Sequence, residues 1–155
     1  MIVTGDQVSC WVATELGIAV DLRLTVGVGY AEGAKIIQGA AFYNFTPYNI
    51  YVHVALASGH GINPTFIAAM LDYPFNQAKV RRLTGLIPLK NHVARKFAEH
   101  LGGKVEGCME QALVNDDLLI YGLTRKNAER WLTAPYQRRI GVRHGKACAI
   151  TAPCT

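Results

Sequence analysis

No apolar run in this 155-residue chain approaches the ~20 consecutive residues that a membrane-spanning helix needs. The start, Met1-Ile2-Val3-Thr4-Gly5-Asp6, has no basic stretch leading into an apolar one. A cleaved leader is therefore not expected, and a cytoplasmic location follows by default. Cysteine is scarce: Cys10, Cys108, Cys148 and Cys154 make no CxxC pair. That argues against a zinc knuckle, a dithiol redox motif and a disulfide-stapled scaffold, and leaves free thiols as the expectation. His92 and His100 stand too far apart along one helix for a single metal, and the adjacent acids Asp116-Asp117 read as a turn, so no metal site is expected. Neither a G-x-G-x-x-G fingerprint nor a Walker loop occurs, and there is no internal repeat.

Acid is missing from residues 136–155, where Arg138, Arg139, Arg143 and Lys146 stand unopposed. Most of the net charge of +5 is therefore a property of the tail. Such a tail attracts phosphate, as in nucleic acid, or an acidic protein surface, unless it is simply a solvated end. What remains is ample for a core, since 50% of residues are hydrophobic. The expected organisation is one domain over residues 1–135 and a basic tail over 136–155.

The patterning gives an order of elements. Thr4-Gly5-Asp6-Gln7 has capping-box spacing, and Val8, Trp11, Val12 and Leu16 then recur at helical intervals up to Gly17. Leu22, Leu24, Val26, Val28 and Tyr30 alternate with Arg23, Thr25, Gly27 and Gly29, which predicts a half-buried strand. Residues 35–45 return from a turn at 31–34 as the second arm of a hairpin, and Thr46-Pro47-Tyr48-Asn49 turns into an apolar strand over 50–57. Asn63 caps and Pro64 opens a helix that Pro74 ends or kinks. Strands over 80–87, 105–113 and 118–124 follow. They enclose a helix over 91–101 whose apolar stripe is Val93, Ala94, Phe97, Ala98 and Leu101, and a short helix over 127–132 precedes the tail. Local hairpins and helix-linked strands together imply an α/β mixed sheet with helices on its faces.

Chemistry is best placed where the strand 50–57 runs through Ser58-Gly59-His60-Gly61 into the helix opened by Asn63. Free amides at a helix start and the helix dipole favour phosphate, and Gly59 and Gly61 allow close approach. On the strand, Tyr51, His53 and Ala55 share one face, so His53 is a candidate base with an ordinary pKa of ~6.5. It reads equally well as a hydrogen-bonded core histidine.

Ser58-Gly59-His60-Gly61-Ile62-Asn63 resembles the pyrophosphate loop Gln/Arg-x-x-Gly-x-Gly/Ala of the GCN5-related N-acetyltransferases. The likeness continues through Val80-Arg81-Arg82-Leu83-Thr84-Gly85-Leu86-Ile87-Pro88, Asn91-x-x-Ala94, Leu101-Gly102, Glu106-Gly107 and Leu118-Leu119-Ile120-Tyr121-Gly122-Leu123-Thr124-Arg125, spanning residues 20–132. With Asp72-Tyr73-Pro74-Phe75-Asn76 it is similar to short phage and prophage members. The resemblance implies a mostly antiparallel sheet of about six strands, split between the fourth and fifth. It implies acetyl-CoA as co-substrate and transfer of an acetyl group to an amine by direct attack. The carbonyl would be polarised by amides of Ala55, Leu56 and Ala57, and CoA held by these, Ser58, Gly59, His60, Gly61, Ile62, Asn63 and Asn91. His53 and Tyr121 are the catalytic candidates, as base and proton donor. Ala98 falls where many members carry the proton-donating tyrosine, and Gly103 where an aromatic often follows. Two alternatives follow: a catalytically inert module of the same fold, acting as a phage structural part or host inhibitor, and an enzyme acting on nucleic acid or a nucleic-acid-bound protein through the basic tail. Members of the family often form homodimers.

Overall fold

The computed structural model describes residues 1–140. Arg143, Lys146, Cys148 and Cys154 lie outside the described residues. Seven strands form one sheet: β1 (Ile2–Thr4), β2 (Val26–Glu32), β3 (Lys35–Tyr43), β4 (Asn49–Leu56), β5 (Arg82–Pro88), β6 (Lys104–Leu113) and β7 (Asp116–Thr124), in the spatial order β1-β2-β3-β4-β5-β7-β6. Every neighbouring pair is antiparallel except β4–β5. The helices among the described residues are α1 (Asp6–Leu16), α2 (Pro64–Asp72), α3 (His92–Leu101) and the single turns α4 (Arg125–Ala128) and α5 (Ala134–Gln137).

The seventh strand, β1, replaces the expected capping box. Thr4 pairs with Val28 in the sheet, and the N-cap of α1 is Gly5, at φ +103°, with no side-chain cap. The chain turns sharply there from strand to helix, which glycine tolerates. Leu22 and Leu24 do not extend β2; they lie in a 3-10 turn that Asp21 caps through the Arg23 amide. β3 ends at Tyr43, because Asn44 takes φ +50° into the turn that the Thr46 hydroxyl closes on the amides of Tyr48 and Asn49.

The glycine face of β2 is buried rather than solvated, because α1 lies directly on it. A methyl group at Gly27 would stand 2.5 Å from the Gly5 carbonyl, and one at Gly39 2.7 Å from a Val12 methyl. Small residues thus set how closely α1 approaches, and Val8, Val12, Ala41 and Ala55 form a compact core beneath it. The larger core lies on the other face, where Phe42, Ile50, Phe66, Met70, Leu71 and Phe75 pack between the sheet and α2. Burial of side chains this large supplies roughly 1.5–3 kcal/mol each. Pro74 converts the end of α2 into a π-helical turn, Tyr73–Gln77, since its ring cannot donate to the ladder.

Asn91 caps α3 through the Ala94 amide at 3.1 Å, and Gly102 ends it at φ +105°. Its apolar stripe is not fully packed, however. Val93 is 75% exposed, and Ala94, Phe97 and Ala98 are only half-buried. Ala94, Phe97 and Ala98 face an open cavity, and Val93 faces solvent.

Candidate functional site

The cavity exists because the one parallel strand pair is only half formed. β4 and β5 pair from Asn49↔Arg82 to Val52↔Gly85 and then part, so His53–Leu56 and Leu86–Pro88 border a gap. β3 holds the other edge of β4, and the Ala57 amide donates to Ile37 O at 2.9 Å. In a strand the peptide groups alternate sides, so Ala55 and Ala57 bond toward β3 while Val54 and Leu56 turn theirs to the gap. Of the expected carbonyl-polarising amides, Leu56 therefore qualifies. Ala55 and Ala57 do not, because β3 already takes their hydrogens.

The gap opens into a space of ≈410 Å³, within the usual range for small-ligand sites. Val52, Val54, Ile87, Pro88, Phe97 and Leu101 make most of its wall apolar. His53 reaches it from the α1 side of β4, and Tyr121 and Asn91 also line it. Leu16 and Ile18, just past the buried part of α1, form a rim that the periodicity of that helix did not reveal.

His53 is half-buried and stacks on Tyr43, with centroids 4.4 Å apart and planes at 9°. Burial holds its pKa below the ordinary value, so it is neutral at pH 7. Tyr43 is shifted upward by burial and then by Tyr51. Tyr121 is 2% exposed; its hydroxyl donates to Glu99 Oε1 at 3.0 Å and accepts from Arg95 Nε at 3.3 Å. Arg95 also donates to Leu89 O at 3.0 Å. The sequence singled out Tyr121 but not the two α3 side chains that fix its hydroxyl. Ala98 and Gly103 both line the cavity, so their small size enlarges it.

After β4 the loop turns at Ala57–His60, with Gly59 at φ +81°. Asn63 caps α2 through the Thr65 amide at 2.8 Å, with Pro64 at the first position. Among the described residues, the amides of Ser58, Gly59, Gly61 and Ile62 have no protein acceptor. His60 is exposed. The loop is held from below by Gln38 of β3, whose side chain is fully buried. Its Nε2 donates to Gly61 O at 2.5 Å and its Oε1 accepts the Asn63 amide at 3.0 Å. A single amide group thus pins the end of the loop that leads into α2. The signal was present as a lone polar residue in the apolar run Ile36–Phe42, yet its partners lie more than twenty residues away.

Asp116 and Asp117 serve the β6–β7 turn, accepting the amides of Lys90 and Gln111. Among the described residues no cluster of three or more metal-ligating side chains occurs, and no helix is long and apolar enough to cross a membrane. Cys10 and Cys108 are exposed free thiols.

Seven strands with one half-open parallel pair, and a loop of free amides at its mouth, define the architecture. The fold is that of the GCN5-related N-acetyltransferases. No family model and no curated protein matches the sequence. Solved structures do. The F149A mutant of the spermidine N-acetyltransferase SpeG from Vibrio cholerae superposes with a TM-score of 0.61 at 19% identity, over 69% of this chain and 70% of its own. The ribosomal-protein-S5-alanine acetyltransferase from Vibrio fischeri gives 0.57 at 21%, over 65% and 62%. Campylobacter jejuni PseH in complex with acetyl coenzyme A gives 0.52 at 17%, over 65% and 68%. The chain spans 63% of a further neighbour, a probable acetyltransferase.

Proposed function

We propose that the chain is an acyl-CoA-dependent N-acyltransferase that moves an acetyl group from acetyl-CoA to an amine. The observation that carries the proposal is the cleft where β4 and β5 part after Val52 and Gly85, with free loop amides at its mouth. Its apolar wall suits a pantetheine arm, and the free amides of Ser58, Gly59, Gly61 and Ile62 suit a pyrophosphate. Asn91, at the start of α3 and on the cavity, is a further contact for the coenzyme. Neighbours of this fold that carry acetyltransferase names, one of them in complex with acetyl coenzyme A, support the same assignment.

In this reading the Leu56 amide stabilises the oxyanion that develops on the thioester carbonyl. Neutral His53 takes a proton from the incoming ammonium, directly or through a water, so that the amine can attack. A C–N bond forms and the C–S bond breaks; the thiolate takes a proton from Tyr121, and the second proton of the attacking nitrogen passes through solvent to restore the phenol, leaving His53 to release its own proton to bulk water. The arrangement of Glu99 and Arg95 about that hydroxyl supports such a role by fixing its position. Tyr121 would then do from β7 what a tyrosine at Ala98 would do from α3.

Calorimetry with CoA and acetyl-CoA tests the binding half of the proposal. Binding in the micromolar range is expected, and none at millimolar ligand would sink it. Thioester cleavage over a panel of amines tests the chemical half. Binding with only background cleavage would favour the inert module, a reading that Ala98 and the engaged Tyr121 hydroxyl also support.

A further inference from the structure

Lys79, Arg81, Arg125 and Lys126 line one open cavity of ≈600 Å³, with Phe75, Asn76, Val80 and Thr124, and among the described residues no acidic side chain lines it. It shares no lining residue with the acyl-transfer cleft. Tyr48 precedes β4 and Arg81 precedes β5, whereas the Ser58–Asn63 loop follows β4. The two regions are therefore at opposite ends of the parallel pair, about 25 Å apart at ~3.3 Å per strand residue.

The cations are organised by the fold. The Arg125 amide donates to Arg81 O at 3.2 Å. The Arg125 guanidinium donates to Phe75 O and, at 2.9 Å, to Asn76 Oδ1. That uses one edge of the guanidinium and leaves other donors for a ligand. Lys79 is held at φ +55°, a conformation L-residues avoid, between the bonds Ala78 N–H to Tyr73 O and Val80 N–H to Pro74 O. The nearby acids are engaged elsewhere: Asp72 is buried and accepts from Asn76 and Gln77, and Glu106 pairs with Arg82 at 2.6 Å. Beside the cavity the Arg81 guanidinium lies 4.8 Å above the ring of Tyr48, which is 60% exposed. Phe45, on the same turn, is 42% exposed.

We propose that this end of the sheet binds single-stranded nucleic acid, seating backbone phosphates among Lys79, Arg81, Arg125 and Lys126 and stacking a base on Tyr48. A concave basic surface beside an exposed aromatic is the combination that unpaired strands require. Among the described residues the helix that starts at this surface, α4, is a single turn and too short to fill a duplex groove. The site is independent of the acyltransferase reading and of the basic tail.

The test is fluorescence anisotropy of the full chain with a labelled single strand of ~10 nucleotides across a salt series. Wild-type binding should weaken steeply with salt. The double variant Lys79→Glu/Lys126→Glu should bind at least ~100-fold more weakly with a shallower salt slope, and Tyr48→Ala about tenfold more weakly with an unchanged slope. Both lysines are exposed, so an unaltered melting temperature reports an intact fold. Absence of binding at low salt would overturn the proposal. So would full affinity in the lysine variant, which would assign binding to the tail instead. Equal affinity for duplex would overturn the single-strand preference. Competition by inorganic tripolyphosphate at equal affinity, with Tyr48→Ala silent, would reduce the site to a phosphate pocket and overturn the nucleic-acid assignment.

Discussion

The imidazole of His53 lies flat against the ring of Tyr43, centroid to centroid 4.4 Å. The two residues come from adjacent antiparallel strands, and Tyr43 pairs with Tyr51, two residues before His53. The stack covers one face of the imidazole while its edge borders the cavity. His53→Ala should lower kcat by about 10²-fold or more, with little change in acetyl-CoA affinity. A kcat within twofold of wild type would remove His53 from the mechanism.

Burial depresses the pKa of His53, which fixes the sign of two pH effects. The acid limb of kcat/KM should fall below ~6.5, the value for a free imidazole. Between the depressed folded value and ~6.5 the unfolded chain binds more protons than the native one. The contribution of His53 to stability is therefore present above ~6.5 and is lost as pH falls through the folded value. Thermal melts of wild type and His53→Ala from neutral to mildly acidic pH measure it, and the wild type should lose more stability over that range.

Gln38→Leu should leave Gly61 O and the Asn63 amide without partners inside the protein. A loss of about 1–3 kcal/mol for each unsatisfied group is expected. The functional effect should appear chiefly as weaker acetyl-CoA binding, since the loop amides lose their fixed spacing. Calorimetry at a temperature where the variant is fully folded separates this from a general loss of stability.

Tyr121→Phe removes one hydroxyl while keeping the buried ring. Stability should fall by about 1–2 kcal/mol, because the hydrogen bonds to Glu99 and from Arg95 are both lost. If the hydroxyl protonates the leaving thiolate, kcat should drop by about 10²-fold with unchanged coenzyme affinity. An unchanged kcat would make Tyr121 a packing residue only.

Gly39→Ala tests the fold itself. The added methyl would sit 2.7 Å from Val12 Cγ2 and 3.0 Å from the Trp11 ring, pushing α1 off the sheet. A loss of about 1–3 kcal/mol is expected in chemical denaturation.

Local signals were legible wherever one residue and its immediate neighbours decide the outcome. Asn63-Pro64 and Asn91 start their helices, Gly102 stops one, and the turn at Thr46–Asn49 closes on its own side chain. The apolar strand, the loop after it and the candidates His53, Tyr121 and Asn91 could all be marked from the sequence, and the structure brings those three to one cavity. Periodicity says which residues share a face; it does not say what covers that face. Hence the glycine face of β2 looked solvated although α1 lies on it, the α3 stripe looked packed although it faces a cavity, and β1 was hidden inside a supposed helix cap. The parting of β4 from β5 and the reach of Gln38 across to Gly61 and Asn63 were decided by tertiary structure alone, because each depends on segments distant in sequence meeting at one register.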